Sequence, residues 1–180
     1  PQQFKNLNPY YGEWKKLAKS TEFTLGPFVN KFEKAFANYI GAKYCISTNN
    51  GTDALILCLK SLNIGKGDEV ITVCNSFYAT AGAIVACGAK PIFVDCDDSF
   101  CMNVDLIQSK ITKKTKVIVA VHFTGYMTDM IKLNKISKMY KIPVVEDACQ
   151  SILASINKKN AGTWSQFGAF SLHPLKNINV

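Results

Sequence analysis

The sequence predicts an α/β fold, a three-layer α/β/α arrangement around a mostly parallel sheet. Three observations predict it. Short apolar runs of strand length alternate with segments whose apolar residues recur at helical spacing. The connections between them are short. Polar clusters follow the strand candidates: Asn49 to Thr52, Asn75 to Tyr78, His122 to Thr124, Asp147 to Gln150 and His173 to Lys176. Such sheets bind ligands at the carboxyl ends of their strands, so the five clusters are expected to share one edge.

Residues 10–19 read as a short mixed helix, and Thr21 to Pro27 as a loop broken by Gly26-Pro27. Phe28, Phe32, Ala35, Phe36 and Tyr39 keep helical spacing, and Gly41 closes that helix. Tyr44 to Ser47 reads as a strand. Asn49 to Asp53 is a polar helix entrance ahead of Ala54, Leu55, Leu57, Cys58 and Leu62, with Thr52 or Asp53 available as its cap. Gly65 to Glu69 is a turn, with no Walker pattern around it. Val70 to Val73 is a buried strand, Ser76 to Thr80 opens a helix reaching Gly88, and Pro91 to Val94 is the next strand. A helix is expected over 104–111, a strand over Lys116 to Val121, and a helix over 129–140 with Ile131, Leu133, Ile136 and Met139 apolar. Ile142 to Val145 completes the series as a strand. Lys158 to Gly162 reads as a polar loop, and the apolar run that follows stops at Ser171.

Composition narrows the function classes. The 180 residues suffice for one domain, which would bury roughly 70% of its unfolded surface. A chain 48% hydrophobic and 19% charged is globular rather than disordered. No apolar run approaches the ~18 residues of a membrane span, and Pro1 to Asn8 contains no apolar signal-peptide core. The formal charge is +8, yet all 21 basic residues are Lys. They are scattered, without aromatic interleaving, and Arg is absent where two-pronged grips on bases or phosphates would use it. That argues against a nucleic-acid partner. Seven cysteines, an odd number with no C-x-x-C, argue against a disulfide framework or a metal site and for the cytosol. The chain opens on Pro1 and stops soon after Lys176, so a fragment of a longer protein is expected.

Three clusters carry chemistry. Phe170-Ser171-Leu172-His173-Pro174-Leu175-Lys176-Asn177 presents one lysine on a Pro-restrained loop. Val144-Val145-Glu146-Asp147 ends an apolar run in an acidic pair. The Gly51-Thr52 helix entrance offers free backbone N–H groups and a hydroxyl to an anion. A lysine, an acid and an anion-binding helix start are the parts a pyridoxal phosphate (PLP) site requires. Taken singly, each has an ordinary structural alternative: a surface lysine, a helix cap, a capped helix start.

At these residues the sequence resembles the DegT-type (DegT/DnrJ) sugar aminotransferases, PLP enzymes of fold type I. The resemblance runs from about Gly26 to the last residue. It rests on Gly51-Thr52-Asp53-Ala54-Leu55, Gly67-Asp68-Glu69-Val70-Ile71, Gly88-Ala89-Lys90-Pro91, Val121-His122 with Gly125, Glu146-Asp147-Ala148, Gly168-Ala169-Phe170-Ser171 and Lys176-Asn177, in that order. It implies an N-terminal segment at 1–25 and an incomplete PLP-binding large domain at 26–180, with a smaller C-terminal domain to follow. It also implies site roles. Lys176 would attach pyridoxal 5'-phosphate covalently and Asp147 would pair with the pyridine nitrogen. Gln150 would reach the phenolic oxygen, Gly51 and Thr52 would hold the phosphate with Ser171 beside them, and Phe77 would stack on the ring. His122 and His173 receive no catalytic role, and Glu146 is expected to be structural.

The function so implied is transfer of an amino group, from glutamate, to a nucleotide-linked keto sugar for surface polysaccharide or another glycoconjugate. A homodimer is implied for the full-length protein, and inactivity for the 180-residue piece alone. Two rivals stand beside it. The sugar dehydratases of the same family carry histidine in place of the attaching lysine, which Lys176 opposes. A non-catalytic regulator could keep the fold; turnover of a keto sugar with glutamate separates the two.

Overall fold

In the computed structural model, which describes residues 6–176, Pro and Gly punctuate the first unit of the chain, Pro1–Ser47. Helix α1 (Asn8–Ser20) has proline in its first turn, where no helical N–H is lost, and stops at Thr21 in the left-handed region. Helix α2 (Pro27–Ile40) also begins on proline and ends at Gly41 (φ 81°), whose N–H returns to Ala37 O at 3.0 Å. Its buried residues are Phe36, Ala37 and Ile40. The strand expected over Tyr44 to Ser47 does not form. Tyr44 and Ile46 are exposed, and the Ser47 N–H is taken by Glu33 Oε1 at 2.6 Å instead of a ladder.

The second unit, Thr48–Val180, holds the sheet. Five strands, β1 (Glu69–Val73), β2 (Lys90–Val94), β3 (Thr115–Val121), β4 (Val144–Asp147) and β7 (Phe167–Ala169), lie parallel in the order β2-β1-β3-β4-β7. Register aligns Val121, Asp147 and Ala169, so three strands end level with one another. The alternation of strand side chains sends Val70, Val117, Val119 and Val145 to one face, and Ile71, Ile118 and Ala120 to the other. Leu55 and Leu59 of α3 (Gly51–Ser61) and Ala83 and Ile84 of α4 (Ala79–Ala86) cover the first face. Met130, Leu133 and Ile136 of α5 (Met130–Tyr140) cover the second. Each fully buried Leu or Ile stabilises this sandwich by about 1.5–3 kcal/mol. The three-layer α/β/α expectation therefore holds.

Four local expectations are corrected. The helix expected over 104–111 is two 3-10 turns, Val104–Leu106 and Gln108–Lys110. Val104 and Ile107 are both buried, and their spacing of three serves a three-residue turn as well as an α-helix. The polar loop at 158–162 contains β6 (Lys159–Asn160), paired antiparallel with β5 (Ser155–Ile156). Asn157 and Lys158 between them both have positive φ, the geometry of a two-residue hairpin turn. Strand β4 runs on through Glu146 and Asp147, so the acids sit within its end rather than after it. The cap of α3 is Asn50, whose side chain accepts the Asp53 N–H at 2.9 Å; Thr52 and Asp53 lie inside the helix. Among the described residues, no helix is long and apolar enough to cross a membrane.

Candidate active site

The carboxyl edge of the sheet gathers the polar residues. Asp147, at the last position of β4, is buried. Its Oδ2 accepts the Thr80 hydroxyl at 2.7 Å and its Oδ1 accepts the Cys149 N–H at 3.2 Å. The Ser76 and Thr80 hydroxyls are 2.7 Å apart. The carboxylate is thus held from α4 on one side and from the turn after β4 on the other.

Glu146, its neighbour, points the opposite way and is fully buried. One oxygen accepts from the Trp164 and Ser165 N–H groups and the Ser165 hydroxyl, at 2.7–2.8 Å. The other accepts from Gly162 N–H at 2.7 Å and from His122 Nε2 at 2.9 Å. Burial alone would raise this carboxyl. The His122 hydrogen bond, with those from Ser165 and Gly162, outweighs burial and holds it below the usual carboxylate value. His122 Nδ1 accepts the Thr128 N–H at 3.3 Å, which assigns the ring proton to Nε2. Both rings of the sequence's histidines serve as braces, since His173 Nδ1 accepts the Leu175 N–H at 3.2 Å within the lysine loop. Among the described residues no group of His, Cys, Asp and Glu could hold a metal ion.

Helix α3 starts at the same edge. Asn50 takes up the Asp53 N–H, and the Ala54 N–H makes the first helical bond to Asn50 O at 3.0 Å. Ahead of these stand the Gly51 and Thr52 N–H groups, at the positive end of the helix. Gly51 is buried, and a Cβ there would meet Cys149 Sγ at 2.9 Å and Ser171 Cβ at 3.0 Å. Only a glycine lets α3 begin this close to the β4 turn and to the segment after β7. Cys149 itself is an inert wall. Burial, then the negative charge of Asp147, drives its thiol pKa far up.

Lys176 closes the arrangement. Its N–H turns back to His173 O at 2.8 Å, and its Nζ lies 5.7 Å from the centroid of the Phe77 ring. Phe77 is 53% exposed, which rules out core packing as its role. Gln150, Lys176, Thr124 and Leu175 line a cavity of about 300 Å³. A larger depression, about 390 Å³, lies between Glu69, Lys90 and Lys114 at the opposite edge of the sheet, away from every one of these groups.

Of the seven residues singled out in the sequence, Gly51 and Thr52 start α3, Asp147 ends β4, and Phe77, Gln150, Ser171 and Lys176 lie in the segments that follow β1, β4 and β7. Asn177 lies outside the described residues. Sequence reasoning missed Thr80 and Cys149 as neighbours of Asp147. A hydroxyl at 80, flanked by Ala79, Ala81 and Ala83 in a small apolar helix, was the available signal for the first.

Comparison with known proteins matches this architecture. A family model described as the DegT/DnrJ/EryC1/StrS aminotransferase family matches residues 10–180. The chain is 40% identical over 160 residues to 3-oxo-glucose-6-phosphate:glutamate aminotransferase of Bacillus subtilis, covering 88% of this chain and 35% of that protein. It is 40% identical over 162 residues to UDP-2-acetamido-2-deoxy-3-oxo-D-glucuronate aminotransferase of Pseudomonas aeruginosa, covering 89% of this chain and 45% of that protein. The crystal structure of NtdA from Bacillus subtilis with bound cofactor PMP is similar with a TM-score of 0.86 at 39% identity, covering 92% of this chain and 38% of that one. The chain spans less than half the length of these relatives.

Proposed function

The chain belongs to the DegT/DnrJ/EryC1/StrS aminotransferase family, and from that membership we propose that the full-length protein is a cytoplasmic, pyridoxal 5'-phosphate-dependent aminotransferase. It would carry an amino group from glutamate to a nucleotide-linked keto sugar, in the synthesis of surface polysaccharide or another glycoconjugate. By the same resemblance it would act as a homodimer, its large domain beginning near residue 26. The observation that carries the proposal is the meeting of Lys176, Phe77, Asp147, Gln150 and the Gly51 helix start on one edge of the sheet.

The residues present suit that cofactor. The Gly51 and Thr52 N–H groups, with the Thr52 and Ser171 hydroxyls, would hold its phosphate, at a helix start where a Cβ at 51 would push against Cys149 and Ser171. The helix dipole there favours a phosphate by roughly 0.3–1 kcal/mol, up to about 2 when partly buried. When bound, pyridoxal phosphate supplies an electron sink for the electrons released as the donor loses its α-proton.

The chain's own groups do the rest. Asp147 would hold the proton on the ring nitrogen; each pKa unit by which it does so is worth about 1.4 kcal/mol. Phe77 would cover one face of the ring, and Gln150 would donate to the phenolic oxygen. Lys176 Nζ would be the attachment point. As a free amine, it would be the base that takes the proton from the donor's α-carbon and the acid that gives it up again. The same amine would run the transfer in reverse when the keto sugar is aminated.

Purified full-length protein, supplied with PLP, glutamate and a panel of nucleotide-linked keto sugars, is expected to release 2-oxoglutarate beyond one equivalent per site only when a keto sugar is present. Failure of every keto sugar to draw an amino group from glutamate would sink the proposal.

A further inference from the structure

Thr80 has a role that the site description leaves unassigned. It is 2% exposed, on the face of α4 that packs against the sheet, and its hydroxyl is 2.7 Å from Asp147 Oδ2. Carboxylate oxygens accept, so the single Thr80 hydroxyl hydrogen goes to Asp147. Thr80 can then only accept from Ser76, 2.7 Å away, and the Ser76 hydroxyl must donate. The direction is fixed: Ser76 to Thr80 to Asp147. Such chains polarise along their length, which strengthens the final bond in a buried setting.

The same short segment carries Phe77. The Thr80 N–H bonds to Phe77 O at 3.1 Å, so the turn that presents the aromatic ring also presents the hydroxyl. Asp147 Oδ1 is already committed to the Cys149 N–H. With both oxygens tied, the carboxylate cannot rotate about its last bond without losing a buried donor.

We propose that Thr80, supported by Ser76, is a positioning residue that locks the Asp147 carboxylate in the orientation in which it meets a ring nitrogen, and that couples this orientation to the placement of Phe77. The inference rests on the PLP reading of the site. Thr80 itself touches neither substrate nor cofactor; it acts through Asp147.

The test compares full-length wild type, Thr80→Val, Thr80→Ser and Ser76→Ala, each loaded with PLP. Three quantities are read: borohydride-reducible attachment at Lys176, the rate of cofactor loss on dilution, and the pH midpoint of the attached cofactor's absorbance change. That midpoint reports the proton on the Lys176-linked nitrogen, and a supported positive charge on the ring nitrogen lowers it. Thr80→Val is expected to keep the attachment, lose cofactor about tenfold faster, and shift the midpoint upward by at least half a pH unit. Thr80→Ser keeps the hydroxyl and is expected to match wild type. Ser76→Ala, which leaves Thr80 in place, is expected to move both readouts the same way by about two- to threefold in rate.

Wild-type rate and midpoint in Thr80→Val overturn the inference while leaving the PLP reading intact. If Thr80→Val does not fold, wild-type behaviour in Ser76→Ala overturns it. A wild-type protein without reducible attachment at Lys176 overturns the PLP reading, and the role of Thr80 falls with it.

Discussion

Glu146 is the residue whose chemistry most depends on staying buried. Its five donors come from His122, just after β3, and from the loop Gly162–Ser165, so one carboxylate ties the sheet to the segment that leads into β7. Glu146→Gln presents an amide to donors that need an acceptor. It is expected to lower stability by about 3 kcal/mol, read from urea unfolding at pH 7. The sign of the pH effect follows from a folded-state pKa held below the ordinary carboxyl value of 4.5. Its stabilisation is complete above that pH and is lost as pH falls through the lower, folded value. Wild type should therefore lose part of its stability below about pH 4.5, and Glu146→Gln should lose less. Cys149 offers a second check. Its thiol, kept protonated by burial and by Asp147, should resist alkylation at pH 8 while exposed Cys74 is labelled within the same time, as peptide mass spectrometry would record. Rapid labelling of Cys149 in the folded protein would contradict the packing of Gly51 against it.

Elements were legible where one periodicity had no competitor. Helices α2, α3 and α5 and strands β1 to β3 follow the sequence because their apolar residues fit one period and their ends carry Gly, Pro or a capping side chain. The misread elements share a cause: a short window that fits two structures. Val104 and Ile107 suit a 3-10 turn and an α-helix alike, and Asn157-Lys158 adopts positive φ without glycine to announce the hairpin. Tyr44 to Ser47 has strand residues but no ladder among the described residues, and propensity without a partner does not make a strand. Thr52 and Asp53 are capping types by composition, yet Asn50 caps α3, and its amide also donates to Asp53 Oδ2 at 3.1 Å. Asn50→Ala is expected to cost about 1 kcal/mol in a urea titration and to loosen the helix start at Gly51 and Thr52. An unchanged unfolding midpoint would remove Asn50 as the cap.

At the scale of the whole molecule, the parallel sheet does what no single motif does. Residues 51, 77, 147, 150, 171 and 176 are up to 125 positions apart (176 − 51 = 125), and strand register brings their elements to one edge. That the polar clusters share one edge was readable because the segments after parallel strands all emerge at the same side of the sheet. Its second layer was not readable, because the partners of Asp147 and Glu146 come from α4 and from a loop whose positions depend on packing rather than on pattern. The account's central claim is that Lys176 is the cofactor's attachment point. The most direct measurement is borohydride reduction of PLP-loaded full-length protein, followed by digestion and mass spectrometry, for wild type and Lys176→Ala. The account predicts phosphopyridoxyl mass on the Lys176 peptide of wild type and none in Lys176→Ala; a wild-type protein that binds PLP yet carries the label on another lysine, or on none, contradicts it.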